Sequence, residues 1–167
     1  MNNKVVIVNG SSKEIGKAIV IAFARSKEYS GIVVNARRAK EAQNVSKEIL
    51  DSYSKWCIAL AVEADVSKES DCIRLIHETF ERFARIDVLV NNVNVQEDLP
   101  FAETTLEEWY KIIGVDFAGP FVCSREAVKQ MQKEVNRGGG CVIDFSSAHQ
   151  QIPKPHYNTQ HPKQVFR

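Results

Sequence analysis

The chain of 167 residues contains no apolar run approaching membrane-spanning length and no excess of charge of either sign. Lys and Arg number 22 against 21 for Asp and Glu, a formal net charge of +1, so no electrostatic argument favours a nucleic acid or an acidic surface as partner. The apolar run at residues 5–8 is far too short for a signal peptide. Cysteine is sparse: Cys57, Cys72, Cys123 and Cys141 have no C-x-x-C spacing and no accompanying histidine pair, so neither a metal nor a disulfide is expected. All four fall inside apolar segments and read as reduced core thiols. No internal repeat or low-complexity tract is present. These absences leave a soluble, cytoplasmic, single-domain chain long enough to bury a core.

Short β-branched runs alternate with longer stretches of helical period. Residues 5–8 end in Asn9-Gly10, the pattern of a strand buried on both faces. Ile15, Ala18, Ile19, Ala22 and Phe23 then recur at i, i+3, i+4, i+7 and i+8, which predicts an amphipathic helix with that face inward. Further strands are expected at 32–34, 58–62, 86–90 and 142–145. Helices are expected over 40–53 and from 67 onward, the second with Ile73, Ile76, Phe80 and Phe83 inward. Thr105-Leu-Glu-Glu108 is a capping box ahead of one long helix running through Trp109, Ile112 and Ile113 to beyond Val122. The alternation predicts an α/β fold, a Rossmann-like doubly wound parallel sheet with helices on both faces and right-handed crossovers. Residues 1–152 are expected to form this dinucleotide-binding, Rossmann-type domain. Residues 153–167 hold three of the five prolines, show no period and are set apart as an irregular tail.

The first strand–turn–helix is the most informative segment. Asn9-Gly10-Ser11-Ser12-Lys13-Glu14-Ile15-Gly16 lies between a buried strand and an amphipathic helix. Such a turn aims backbone amides at a pyrophosphate, with glycine removing the Cβ that would block its approach. The spacing resembles the Thr-Gly-x-x-x-Gly-Ile-Gly of short-chain dehydrogenases/reductases, and the resemblance continues in order. Asp65-Val66 resembles the family's adenine-holding Asp-Val, and Asn91-Asn92-Val93-Asn94 its Asn-Asn-Ala-Gly. Val115-Asp116-Phe117 falls where the family has Val-Asn-Leu, and Ile143-Asp144-Phe145-Ser146-Ser147 matches the end of the fifth strand, where the second serine is catalytic. Residues 147–155 further resemble the glucose 1-dehydrogenase / 3-oxoacyl-ACP reductase branch.

The resemblance implies NAD(P)-dependent hydride transfer on a small alcohol/carbonyl pair. Gly10, Ser12, Lys13, Ile15, Gly16, Asn35, Arg37, Arg38, Asp65, Val66, Asn91, Asn92 and Val93 would line the cofactor site. An aspartate ending the second strand would accept both ribose hydroxyls of NAD and repel a 2′-phosphate. Asn35 stands there instead, with Arg37, Arg38 and Lys13 nearby, which favours NADP over NAD.

Several positions depart from the family pattern. Glu14 occupies the middle-glycine position, where a carboxylate about 5 Å from a phosphate costs about 3 kcal/mol and lowers affinity about a hundredfold unless it swings toward Lys17. Asn94 replaces a glycine. Asp116 replaces the asparagine that helps hold a proton-relay water and, when ionised, cannot donate a hydrogen bond. The family's tyrosine and lysine, thirteen and seventeen residues after the catalytic serine, fall on Gln160 and Gln164. Tyr157 is the tyrosine at hand, but it lies ten residues after Ser147 and has His161 four further on. The degenerate codons of residues 158–166, read from each third base, permit Tyr-Ser-Ala-Ser-Lys-Ala-Gly-Val, so an out-of-frame tail is expected. With the sheet's C-terminal strands missing, the fifth strand should be an exposed edge.

The sequence therefore points to a short-chain oxidoreductase that is impaired as given. Ser147 would orient the carbonyl and Asp116 would stand in for the relay asparagine. Two other readings stay open, a non-enzymatic dinucleotide-binding module and an interaction protein pairing with an intact homologue. The substrate and the oligomeric state, a homo-oligomer included, are left open.

Overall fold

A computed structural model describes residues 4–95, 101–133 and 139–146. Five strands, β1 (Lys4–Asn9), β2 (Tyr29–Ala36), β3 (Ile58–Glu63), β4 (Val88–Asn91) and β5 (Cys141–Asp144), form one parallel sheet in the order β3-β2-β1-β4-β5. Period-two alternation sends successive side chains of each strand to opposite layers. Val6, Val8, Ile32 and Val34 pack with Val20, Ala24, Val45 and Ile49, from helices α1 (Glu14–Ser26) and α2 (Ala39–Tyr53). Val5, Ile7, Val33 and Leu89 pack with Leu75, Ile76, Cys123 and Ala127, from helices α3 (Glu69–Phe83) and α5 (Gly119–Lys133). Both faces of β1 are thus covered, which is why its run is apolar at every position. The shorter α4 (Leu106–Ile113) begins at the expected capping box, where the Thr105 hydroxyl accepts the Glu108 N–H and the Glu108 carboxylate accepts the Thr105 N–H.

Chain direction across the sheet reverses at β1, with β2 on one side and β4 on the other. The crevice outside the carboxyl ends of β1 and β4 is the usual ligand position of such sheets. No helix of the described residues is long and apolar enough to cross a membrane.

The structure corrects four expectations. In α1 the buried residues are Gly16, Val20 and Ala24, whereas Ile15 is 60% exposed. Apolar residues surround nearly the whole helix, and the close approach made possible by Gly16 decides which face turns inward. In α3, Ile73 is exposed instead of inward, while Ile76 is buried and Phe80 and Phe83 pack against the core as expected, with Cys72, Leu75 and Thr79 buried beside them. The single long helix is instead α4 and α5 joined by a π-helical turn, Gly114–Ala118. Such a turn accommodates an extra residue and often marks a functional position. Cys141 is exposed, because β5 is the sheet edge among the described residues, and Ile143 and Phe145 beside it are about 40% exposed.

Candidate functional site

The turn between β1 and α1 is closed by contacts that leave no room for a side chain. Gly10 has φ +66°, and a Cβ there would stand 2.8 Å from Val93 Cγ2 and 3.3 Å from Val93 Cα. At Gly16 a Cβ would lie 2.2 Å from the Gly10 carbonyl oxygen and 2.6 Å from Asn92 Nδ2. Ser11 is buried and locks the turn to β2. Its hydroxyl donates to the Val8 carbonyl at 2.7 Å and accepts the Asn35 N–H at 3.0 Å, while its own N–H donates to the Asn35 carbonyl at 2.9 Å. Sequence reasoning passed over Ser11; its signal is a small hydroxyl residue directly after the turn glycine.

Asn35 lines the cleft and is also bonded to the turn. Its Oδ1 accepts the Gly10 N–H at 3.2 Å, and its Nδ2 donates to the carbonyls of Val62 and Ala64 at 3.3 and 3.1 Å. The side chain is buried and tied to main chain, so it braces the turn while lining the cleft. Ala36 follows it in the wall of the cleft.

The cleft beyond this turn has a volume of about 1070 Å³. Gly10, Ser12, Lys13, Ile15 and Gly16 line it beside Asn92 and Val93, which touch the turn, and Arg37, Arg38, Asp65 and Val66 complete this part of the wall. The structure therefore gathers all the expected cofactor residues except Asn91, which is buried behind the wall. It also adds Asn44, Glu48 and Val115. Glu14 is exposed with φ +48°, a left-handed conformation that suits glycine. The expected swing toward Lys17 meets a competitor, because the Lys17 ammonium lies 2.7 Å from Glu48. Arg38 is paired with Glu41 at 3.1 Å.

The Asp65 carboxylate accepts from the Ser67 N–H at 3.1 Å and the Ser67 hydroxyl at 2.7 Å. Its N–H donates to Asp71 Oδ2 at 2.9 Å, and this bond, with help from Arg74 at 3.3 Å, holds the Asp71 carboxyl below its ordinary value. A depressed folded pKa contributes stability above the unfolded value, near 4, that is lost as pH falls through the folded value. Asp71→Asn should therefore lower Tm at neutral pH by about 2–4 °C and flatten the acid limb. Thermal unfolding from neutral to acid pH checks this, and parallel curves for the two proteins would refute it.

Asp116 sits in the π-helical turn, buried, with Oδ1 accepting the Val95 N–H at 2.9 Å. It thus anchors the segment after β4, and its neighbour Val115 reaches the cleft. Ser147 and Tyr157, like Gln160 and Gln164, lie outside the described residues.

The family model for short chain dehydrogenases matches residues 4–159. The chain belongs to the short-chain dehydrogenase family. This is a family of oxidoreductases that bind NAD(P). The chain is 40% identical over 157 residues to glucose 1-dehydrogenase 2 of Bacillus subtilis, a match covering 93% of this chain and 58% of that protein. It is 34% identical over 147 residues to an uncharacterised oxidoreductase of Thermotoga maritima, covering 88% of this chain and 54% of that one. The chain thus spans little more than half the length of these relatives. A crystal structure assigned as a short-chain alcohol dehydrogenase from Sinorhizobium meliloti 1021 superposes with a TM-score of 0.85 at 21% identity, covering 98% of this chain and 62% of that one, a likeness of fold.

Proposed function

We propose that the cleft of this short-chain dehydrogenase takes NADP(H) in preference to NAD(H), on the cofactor side of an oxidoreductase for an alcohol/carbonyl pair. The observation that carries the reading is the glycine-containing turn at the amino end of α1, whose Gly10, Ser12, Lys13, Ile15 and Gly16 line the cleft. Gly10, Ser12, Lys13, Ile15 and Gly16 would hold the pyrophosphate at the amino end of α1. Asp65 and Val66 would flank the adenine, while Asn92 and Val93 would bound the nicotinamide end. Bound there, the nicotinamide supplies or accepts a hydride.

The preference for NADP(H) rests on charge. The end of β2 carries Asn35 and Ala36, neither a carboxylate, and then Arg37 and Arg38. Since Arg38 is shared with Glu41, Arg37 is the stronger candidate for a 2′-phosphate. Arg37→Ala should weaken NADPH binding roughly tenfold and change NADH binding less than about twofold. Equal losses for the two dinucleotides would assign Arg37 to some other task.

The chemistry itself rests on residues beyond the described ones. Ser147 would orient the carbonyl, with Asp116 holding the relay position from the π-helical turn. Gln160 and Gln164 have neither a phenol nor an ammonium to move a proton, and Tyr157 stands three residues too early. They support a second reading, a chain that binds the dinucleotide with impaired turnover or none. Titration calorimetry of purified monomer with NADPH and NADH tests the binding. Saturable binding with NADPH tighter is expected, and no binding by a folded monomer would end the reading.

A further inference from the structure

Asn9, Asn91 and Asp144 close β1, β4 and β5, and the strand register sets them side by side, Asn9 opposite Asn91 and Asn91 opposite Asp144. Their side chains form one connected row. Asn9 Nδ2 donates to Asn91 Oδ1 at 2.8 Å, and Asn91 Nδ2 donates both to Asp144 Oδ1 at 2.7 Å and to the Ser124 hydroxyl at 3.0 Å. Asn9 and Asn91 are 2% and 3% exposed, whereas Asp144, at the outer end of the row, is exposed. The bond to Asp144 is charge-assisted, the stronger kind. The Phe145 N–H also donates to the Asn91 carbonyl, at 3.0 Å, fixing main chain at the same point.

The row ends one residue from the cleft wall. Asn92 Nδ2 donates to the Gly10 carbonyl at 3.1 Å, and Val93 fills the space above the Gly10 Cα. Both residues line the cleft, and Asn91 does not. Any shift of Asn91 therefore moves the Asn92–Val93 wall against the glycine turn.

We infer that Asp144, with Ser124, is a positioning residue: through the Asn91 side chain it sets the Asn92–Val93 wall and so tunes dinucleotide binding, from outside the cleft. The binding part rests on the cofactor reading above; the positioning part does not. Both are tested on the full chain with Asp144→Ala, Asp144→Asn and Ser124→Ala. Asparagine at 144 keeps an acceptor for Asn91 Nδ2, whereas alanine leaves a buried donor short of its partner.

NADPH titration should show Asp144→Ala weaker by roughly tenfold and Asp144→Asn within about threefold of the parent. Amide hydrogen exchange on the nucleotide-free proteins should be faster at residues 91–93 and at Phe145 in Asp144→Ala, and restored in Asp144→Asn. If the parent binds no dinucleotide, the cofactor reading fails and exchange alone decides the positioning role. Faster exchange confined to β5, or unchanged at residues 91–93, overturns it, as does equal NADPH affinity in all three proteins. Should Asp144→Ala not fold, Ser124→Ala withdraws the other acceptor and must show the same exchange pattern.

Discussion

Gly16→Ala is expected to lower Tm by roughly 5–10 °C and to weaken NADPH binding roughly a hundredfold. The new Cβ would stand 2.2 Å from the Gly10 carbonyl oxygen, 2.9 Å from Ser11 Cα and 2.6 Å from Asn92 Nδ2. Two of these atoms are backbone, held by the Ser11 and Asn35 bonds, so the turn cannot relax by a side-chain rotation. Overpacking of this kind costs about 3 kcal/mol, and the displaced turn withdraws the amides from the anion site at the start of α1. Gly114→Ala is the control. Its Cβ would meet Ser67 Cβ at 3.5 Å, ordinary contact, and its helical φ of −58° suits alanine. It should be neutral or stabilising by up to about 1 kcal/mol, with NADPH affinity unchanged. Circular dichroism melts and calorimetry on the two variants check this. Equal effects would mean that glycine at 16 serves helix flexibility and not the close approach.

What the sequence disclosed follows the range of the forces involved. The strands β1 to β4 were legible because each is largely buried by its own run of residues, and the exposed β5 because its run is short, apolar and preceded by a glycine break. The β1 turn was legible because a glycine pair at fixed spacing has a local cause, the close approaches at Gly10 and Gly16. The capping box at Thr105 is local too, and it lies where the spacing places it. The inward face of α1 was misjudged by one residue, and Ile73 of α3 was misplaced, because contact is decided by partners elsewhere in the chain. In α1 the deciding residues are Gly16 and Ala24, which carry little hydrophobic signal. The π-helical turn is followed by Gly119, which lies against Val66, far away in sequence: a Cβ at Gly119 would stand 2.4 Å from the Val66 carbonyl oxygen.

The same distinction runs through the site. Lys13, Arg37, Arg38, Asp65 and Val66 reach the cleft as spacing suggests, since each follows a strand whose carboxyl end faces it. Asn91 belongs to the bracing instead, while Asn35 both braces the turn and lines the cleft. A one-residue change of phase in a strand moves a side chain from one layer to the other, and no residue type reveals that phase alone. The Asn9–Asn91–Asp144 row joins residues 82 and 53 positions apart, so it exists only once strand register is known.

Glu14→Gly is the substitution expected to improve the protein. Glu14 holds φ +48°, a conformation costing an L-residue roughly 1–2 kcal/mol, and glycine removes that cost. Against it stand the carboxylate's gain at a helix amino end, roughly 0.3–1 kcal/mol, and the greater freedom of glycine in the unfolded chain. Stability should therefore change little, by about 1 kcal/mol or less. Affinity should change more. The carboxylate lies among the residues lining the cleft beside the turn, and Lys17, which could neutralise it, is held by Glu48. Its repulsion of a phosphate, about 3 kcal/mol at 5 Å in an effective dielectric of about 20, is reduced by the group's exposure. A gain of roughly tenfold in NADPH affinity is the expected result. Glu14→Gln separates charge from strain, since it keeps the backbone cost and loses the carboxylate. If charge is the cause, both variants gain affinity and both gains shrink as salt rises from about 0.05 to 0.5 M. If only glycine gains, and salt does not matter, then the left-handed turn and not the carboxylate limits how closely the phosphate approaches α1.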